Sequence, residues 1–335
     1  MPPQHIDDDA LLHPPNVDPR GAVVAIGNFD GVHVGHQMVL RDVVARAEKL
    51  GLSSYVLTFD PHPSAVLGRV APSLLTTLER RSLLVRRLGV TDVLVRHFDR
   101  AFAAWSPERF AEELLAKTLR AKVVVVGDNF GFGAKRAGNA ALLQKMGAQL
   151  GFEAFAHPPA HDAKGSFSSS RARAAIAAGD LADAEIVLSR WHSLSGVVVE
   201  GAKLGRTLGF PTANLGSIPE MLPADGIYAV VVDDLRQGEA GTALAKGVMS
   251  IGVRPTIGGD LARTVEVFLF DFSGDLYGAR LRVHVVSRLR EERKYDGLDA
   301  LKVQIGLDAE LAKTRLEGVR PAVRPGDKSS GGSFG

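Results

Sequence analysis

In the first half of the chain, short unbroken apolar runs alternate with runs of helical spacing. Ala22–Ile26 is apolar throughout, as in a buried parallel strand, and apolar residues over 39–50 then recur at intervals of three and four. Further strands are expected over 54–59, 92–96, 122–127 and 152–156, with helices over 77–88, 106–119 and 139–150. This alternation predicts an α/β fold, a Rossmann-like doubly wound parallel sheet with helices on both faces.

The pattern changes near Trp191. Short strand-forming runs follow, separated by Gly, Pro and Asp turns, and no helix is expected before 298–316. Closely spaced strands without helices between them predict an antiparallel β-barrel, here with a closing α-helix. The expected organisation is a flexible arm over 1–19, an α/β domain over 20–190, a barrel over 191–319 and a disordered tail over 320–335.

Composition narrows the classes of function. The 335 residues include no cysteine, which excludes disulfides and thiolate chemistry and agrees with a reducing cytoplasm. The 40 basic and 38 acidic residues nearly balance, and aromatic residues are sparse, so nucleic acid is not an expected partner. No apolar run reaches the ~18 residues of a membrane span, and the N-terminus lacks the apolar core of a signal peptide. We therefore expect a cytoplasmic protein without a membrane partner; its oligomeric state is not predicted.

The turn from Gly27 to His36 joins the first expected strand to the first expected helix. His33 and His36 lie where helix N–H groups favour an anion, and imidazoles there can bond phosphate oxygens and stabilise charge during attack on phosphorus. Gly35 would let phosphates approach the backbone. A bare His-x-Gly-His favours an ordinary surface turn, whereas the strand before it and the helix after it favour a phosphate site.

Three later motifs also fall at expected strand ends or a helix start. They are Thr58–Pro63 with His62, Gly127–Gly133 with two aromatic rings, and Ser168–Arg173 at the start of a helix that Gly179 ends. Ligands of doubly wound sheets bind beyond the carboxyl ends of the strands, and a helix start followed by arginine suits phosphate. Taken singly, His62 favours an exposed turn residue. The other two motifs are as compatible with an ordinary aromatic-lined turn and a capped surface helix as with ligand sites.

The barrel half has its own candidate loop, Gly201–Asn214. Its glycines expose backbone N–H groups, Lys203 and Arg206 add positive charge, and Thr212 and Asn214 offer oxygen ligands for a magnesium ion shared with phosphates. The alternative is a flexible basic hairpin. Glu266 stands in an otherwise apolar run, and alternation by itself favours a carboxylate that faces solvent over a base at the barrel mouth.

These motifs resemble a known family. Gly27–Gln37, Pro61–Pro63, Gly127–Gly133 and Ser168–Arg173, in this order, are similar to the adenylyltransferase module of bifunctional riboflavin kinase/FAD synthetases. Gly209–Asn214 and the segment around Glu266 are similar to its riboflavin kinase module. The resemblance covers about residues 20–318.

The resemblance implies roles for individual residues. Those implied to be catalytic are Glu266, His33, His36 and Arg173. ATP in the first module is implied to contact Gly27, Asn28, Phe29, Asp30, His33, His36, Asn129, Ser169 and Arg173, and flavin there His62, Pro63 and Phe132. ATP phosphates in the kinase module are implied to contact Gly201, Lys203, Gly205, Arg206, Gly209 and Thr212, with Mg²⁺ on Thr212 and Asn214.

The resemblance also implies two magnesium-dependent reactions, with ATP, riboflavin, FMN and FAD as the small-molecule partners. Riboflavin and ATP give FMN and ADP in the barrel, and FMN and ATP give FAD and pyrophosphate in the α/β domain. Two alternatives remain at this point. One is a nucleotidyltransferase for another phosphorylated alcohol with a regulatory ligand-binding barrel; the other is a barrel that binds nucleic acid.

Overall fold

The computed structural model describes residues 2–6, 17–201, 209–255 and 261–319. The chain divides into two compact units, one of Met1–Ser73 with Leu78–Ser169 and one of Leu74–Thr77 with Ser170–Gly335. Residues 170–190, which the sequence assigned to the α/β domain, cluster with the second unit. The domain bounds drawn from the sequence stay a prediction. None of the helices among the described residues combines the length and the apolar character that a membrane crossing requires.

The first unit contains a parallel sheet, as expected, with six strands where the sequence predicted five. Its strands are β1 (Gln4–Ile6), β2 (Ala22–Ile26), β3 (Ser53–Asp60), β4 (Asp92–His97), β5 (Ala121–Gly127) and β8 (Glu153–His157). Two short strands between β5 and β8, β6 (Gly131–Phe132) and β7 (Gly138–Asn139), pair with each other outside this sheet. The short strands β9 (His161–Asp162) and β10 (Gly165–Ser166) form a hairpin. The strand order in the sheet is β1–β4–β3–β2–β5–β8. From β2, strands β3 and β4 are added on one side and β5 and β8 on the other, which confirms the doubly wound topology.

Helices pack on both faces of this sheet. They are α1 (Val34–Leu50), α2 (Pro63–Val66), α3 (Leu78–Arg87), α4 (Arg100–Ala103), α5 (Pro107–Arg109), which continues as a π-helix over Phe110–Thr118, and α6 (Ala140–Leu150). Alternate residues of β2 enter the two cores: Val24 joins Phe110 and Leu143 on one face, and Val23 joins Leu40 on the other. An all-apolar strand is therefore required here, because water reaches neither face.

The N-terminal arm differs from expectation. Gln4–Ile6 forms β1, an edge strand parallel to β4, and Ile6 is completely buried. The Gln4 side chain donates to Asp92 at 2.6 Å, and Arg96 donates to the Ile6 carbonyl at 3.2 Å. Three residues with a single aliphatic side chain carry too little pattern for a strand prediction, so the tertiary contacts decide. The residues from 7 to 16 lie outside the described part.

The second unit is a closed antiparallel barrel, which confirms the predicted class. After helices α7 (Ser169–Ala178) and α8 (Leu181–Leu188) come β11 (His192–Val199), β12 (Thr212–Gly216), β13 (Gly226–Asp234), β14 (Thr242–Pro255), β15 (Leu261–Leu269), β16 (Arg280–Arg290) and α9 (Leu298–Arg315). The barrel order is β11–β12–β15–β14–β13–β16. The sequence missed β12, whose residues it assigned to a loop.

Side chains on the barrel strands alternate between an apolar interior and the outer face. Val265, Val267 and Leu269 of β15 lie in the interior core. Part of the outer face is covered by α9, whose Ala309 and Ala312 pack in a second apolar cluster with residues of β13. The opposite, even-numbered positions of β15 therefore face outwards.

Candidate functional site

The predicted motifs of the first unit follow adjacent strands of the sheet. Strand β2 pairs with β3 through Ile26 and Leu57, and with β5 through Ala25 and Val125. The Gly27–His33 loop, the turn with His62 and the turn with Asn129 therefore leave one edge of the sheet side by side. This is also the point where the strand order reverses, which is where doubly wound sheets bind their ligands.

His33 and His36 form a stacked pair at the start of α1. His33 is the N-cap residue, and its Nδ1 accepts a hydrogen bond from the His36 backbone N–H at 3.3 Å. The two ring centroids lie 3.5 Å apart at 23°. Because Nδ1 accepts, a neutral His33 ring carries its proton on Nε2 and can donate from there. The helix start and the paired imidazoles make this a place suited to negative charge.

Gly35 allows this packing. A Cβ at position 35 would lie 3.1 Å from the Phe167 carbonyl oxygen and 3.2 Å from the His33 ring. From the sequence, we expected Gly35 to let phosphates approach the backbone. In the structure the close neighbours are a histidine ring and a backbone carbonyl, so the glycine serves the histidine pair itself.

The loop before the pair has an unfavourable backbone. Phe29 and Val32 have φ angles of 50° and 42°, and Gly31 has 82°. Left-handed conformations cost on the order of 1–3 kcal/mol for residues other than glycine, and a β-branched valine is among the least suited to them. Strain of this kind persists only where surrounding contacts hold it, and it concentrates at functional sites.

His62 is turned back towards this loop. It caps α2, with Nδ1 accepting from the Ser64 backbone N–H at 3.2 Å, and its Nε2 lies 2.9 Å from the Asn28 amide. The Asn28 atom that faces Nε2 is its side-chain amide nitrogen. Pro63 is the first residue of α2. The structure thus brings Asn28 and His62 together.

The aromatic turn after β5 is only partly open. Phe132 is 5% exposed and stacks on Phe130 at 5.5 Å, with Phe110 against it at 5.3 Å. Phe130, the other aromatic ring of the predicted motif, is the half-buried ring of the pair. The carbonyl of Asn129 accepts from Arg136 at 3.0 Å. A flavin contact of Phe132 stays a prediction.

Ser169 binds the backbone of Asp30, and the Asp30 side chain faces a buried arginine. The Ser169 hydroxyl donates to the Asp30 carbonyl at 2.9 Å, and the Asp30 carboxylate lies 3.5 Å from the buried Arg81 guanidinium. Arg173 lies one turn into α7, among the residues that cluster with the second unit. The neighbouring Arg171 makes a two-pronged ion pair with Asp183 at 2.7 and 3.0 Å.

A cavity of about 320 Å³ opens on the α1 face near the carboxyl ends of β5 and β8. Arg46 of α1 lies over the Phe155 ring at 3.9 Å and pairs with Asp42 at 2.9 Å. The remaining lining residues are Val125, Ala156, His157 and Pro158. None of the sequence motifs includes its lining residues.

The candidate site of the second unit lies on the outer face of the barrel. Glu266 pairs across the sheet with Asn214 of β12 on one side and with Ser250 of β14 on the other. Thr212, two residues before Asn214, donates to the Glu266 carboxylate at 3.4 Å. Alternation predicted correctly that Glu266 faces outwards. The missed strand β12 explains how an outward carboxylate still meets polar partners.

Gly201 completes this face. A Cβ on Gly201 would lie 2.2 Å from the Asn214 amide nitrogen and 2.6 Å from its oxygen, so only glycine lets the backbone reach this amide. Gly209 has a φ of 88° in open surroundings, a conformation that favours glycine. The predicted residues Lys203, Gly205 and Arg206 lie outside the described residues.

A doubly wound domain with a histidine pair at its switch point, followed by a barrel with a carboxylate beside threonine and asparagine, defines a two-domain phosphotransfer enzyme. Two family models match in the corresponding order: FAD synthetase over residues 16–171 and riboflavin kinase over residues 188–316.

Similar whole proteins carry both names. The bifunctional riboflavin kinase/FMN adenylyltransferase of Haemophilus influenzae is 40% identical over 303 residues, which cover 90% of this chain and 96% of that protein. The protein of the same description from Escherichia coli K12 is 39% identical over 304 residues (90% and 95%), and that from Bacillus subtilis 168 is 35% identical over 297 (87% and 91%). The chain belongs to the bifunctional riboflavin kinase/FMN adenylyltransferase family, a family of transferases, as the resemblance indicated.

One solved structure shares the fold over most of the chain. It is described as a macrolide-efflux protein from Streptococcus pneumoniae, is 31% identical, and aligns with a TM-score of 0.79 over 92% of this chain and 98% of that chain.

Proposed function

We propose that the two reactions of the family are divided between the two units. The Glu266 face of the barrel phosphorylates riboflavin to FMN, and the histidine-pair edge of the α/β unit adenylylates FMN to FAD. The observation that carries this proposal is that each unit holds its own cluster of predicted site residues, His33 with His36 in one and Thr212, Asn214 and Glu266 in the other. The cytoplasmic location stays a prediction.

In the barrel, Glu266 acts as the general base. The terminal ribityl hydroxyl oxygen of riboflavin attacks the γ-phosphorus of ATP, its proton passes to the Glu266 carboxylate, and the bond to the β,γ-bridging oxygen breaks to release ADP. A base must lie within hydrogen-bond reach of that hydroxyl. Thr212 orients the carboxylate through its hydroxyl at 3.4 Å, and the β12–β15 pairing fixes the strand on which Glu266 sits.

Thr212 and Asn214 supply oxygen atoms of the kind that Mg²⁺ prefers, next to one carboxylate. Gly201 packs against the Asn214 amide where a larger residue would displace it, and Thr212 and Asn214 lie beside the Glu266 carboxylate, so the donor set fits a magnesium ion held jointly with ATP phosphates. When bound, that ion would neutralise charge on the phosphates. Thr212 and Asn214 would hold it, and Gly201 and Gly209 would let the loop backbone come close.

In the α/β unit, no enzyme nucleophile is needed. An FMN phosphate oxygen attacks the α-phosphorus of ATP, and the bond to the α,β-bridging oxygen breaks to release pyrophosphate. His33 and His36 donate to the oxygens on which charge develops, in the field of the α1 N-terminus. The phosphate contact that the resemblance implies for Arg173, which clusters with the second unit, stays a prediction. Asn28, Asn129 and the Phe130–Phe132 rings contact the nucleotide and flavin parts.

A time course of flavin species tests the proposal. The intact chain is given riboflavin, ATP and Mg²⁺, and flavins are separated by chromatography; riboflavin should give FMN first and FAD later, while FMN alone should give FAD. Accumulation of neither product would favour a transferase for another phosphorylated alcohol. Variants at Glu266 and at the histidine pair, described below, assign each step to its unit.

A further inference from the structure

The strained loop before the histidine pair is tied down at three of its carbonyls. The carbonyls of Asn28, Asp30 and Val32 accept hydrogen bonds from side chains of three separate elements. Thr58 of β3 donates to Asn28 at 3.2 Å, Ser169 at the start of α7 donates to Asp30 at 2.9 Å, and Gln37 of α1 donates to Val32 at 3.0 Å.

These ties act on the part of the loop that is least favourable. Asp30 and Val32 flank Gly31, and Val32, at a φ of 42°, directly precedes the capping residue His33. A rotation of the Val32 backbone towards an ordinary conformation would swing the first atoms of His33. The His33–His36 stack at 3.5 Å would then be lost, because it depends on where α1 begins.

The amide of Gln37 has a defined orientation. Its nitrogen donates to the Val32 carbonyl, and its oxygen faces the Arg41 guanidinium at 3.5 Å. Ser169 has a single hydroxyl hydrogen, and that hydrogen is directed at the Asp30 carbonyl. While this bond is made, the hydroxyl cannot donate to an ATP phosphate, which is the role that the family resemblance implied for it.

We propose that Gln37 and Ser169 are positioning residues for adenylyl transfer, which hold the Gly27–His33 loop so that the two histidines meet the reacting phosphates. The inference rests on the proposed function of the histidine pair. It assigns Ser169 a role through the backbone of Asp30 and gives Gln37, which had no role, a share in the same task. Neither residue contacts the reacting atoms itself.

The test compares Gln37→Met, Ser169→Ala and Ser169→Thr with the unchanged chain. Methionine keeps the length of Gln37 without a donor, and threonine keeps the hydroxyl. We expect Gln37→Met and Ser169→Ala each to lower kcat of FMN adenylylation by about 10- to 100-fold, since small misplacements of catalytic groups have effects of this size. KM for ATP should change little, Ser169→Thr should restore most of the rate, and riboflavin phosphorylation by the same preparations should stay unchanged.

Two further measurements distinguish a positioning role of Ser169 from a direct contact with an ATP phosphate. Because both residues hold one loop, the double variant should lose less than the product of the single losses, and the NMR signals of the histidine ring protons should shift in both single variants. A Ser169→Ala variant with a raised KM for ATP, an unchanged kcat and no coupling to Gln37 would overturn the inference in favour of a phosphate contact. Full adenylylation rates in both variants would overturn it as well.

The histidines distinguish this failure from failure of the proposed function. If His33→Ala and His36→Ala abolish adenylylation while Gln37→Met and Ser169→Ala keep the full rate, the positioning inference alone is wrong. If the histidine variants keep the full rate, the proposed function of the pair is wrong and the inference falls with it.

Discussion

Gly201 gives the sharpest test of the barrel site. Its φ lies outside the left-handed region, so alanine suits the backbone there, but the added Cβ would lie 2.2 Å from the Asn214 amide nitrogen. To reach an ordinary contact of ~3.5 Å, the amide must retreat by about 1.3 Å. A shift near 1 Å in a positioned group can cost about 10²-fold in rate, or about 2.7 kcal/mol. We therefore expect Gly201→Ala to lower riboflavin phosphorylation about 100-fold.

The assay measures both steps in one preparation. FMN formation from riboflavin should fall, while FAD formation from supplied FMN should stay at the level of the unchanged chain. Gly306→Ala is a matched control, since a Cβ at position 306 meets nothing within 4 Å and alanine suits the helix α9. It should leave both rates unchanged.

A double variant examines the cause. If Gly201→Ala acts by displacing the Asn214 amide, then adding it to Asn214→Ala, which has no amide to displace, should lower the rate no further. Full kinase turnover in Gly201→Ala would refute the reasoning, because the backbone approach to Asn214 would then not matter. A further large loss in the double variant would show that the added methyl group acts elsewhere.

Further predictions concern other groups. Glu266→Gln should lower FMN formation by about 10²- to 10⁴-fold, as expected for loss of a general base, and leave FMN-to-FAD conversion intact, measured by flavin chromatography. The combined His33→Ala and His36→Ala variant should do the reverse, and loss of both activities in a folded protein would contradict the division. Chelation of divalent cations should stop both steps, and added Mg²⁺ should restore them. Burial raises the pKa of the Glu220 carboxyl, which accepts from Ser195 at 2.6 and 3.0 Å, above its ordinary 4.5. The folded state then binds the proton more tightly, so this group's contribution to stability falls as pH rises above about 4.5. Glu220→Gln should therefore raise the thermal midpoint at pH 7 relative to the unchanged chain more than at pH 4, and equal shifts at both values would contradict this.

Most of the α/β fold could be predicted because its strands are buried on both faces. The unbroken apolar run of β2 and the capped helix starts at Ser106 and Asn139 are strong local signals, and the structure shows both serine and asparagine side chains as caps. Strand β1 could not be predicted, because two of its three residues, Gln4 and His5, are polar and its partner β4 begins 88 residues after Gln4 in the sequence.

In the barrel site, the candidate residues could be predicted from their types, but it could not be predicted that they lie next to one another. Thr212 and Asn214 were candidates from their oxygen atoms, and Glu266 from its place in an apolar run. Their adjacency depends on β12, a five-residue strand whose only apolar side chains are Ala213 and Leu215. The position of β12 is set by its pairing with β11 and β15. The residues of β12 alone give no information about which strands they pair with.

The alternation along β15 has a consequence for how the barrel can change. Val265 and Val267 point into the core while Glu266 between them points out, so packing and chemistry are carried by opposite sides of the same five or so residues. A slip by one position would bury the carboxylate and expose the valines together. Any sequence that keeps the interior filled in this register thereby keeps Glu266, the proposed base, on the outer face.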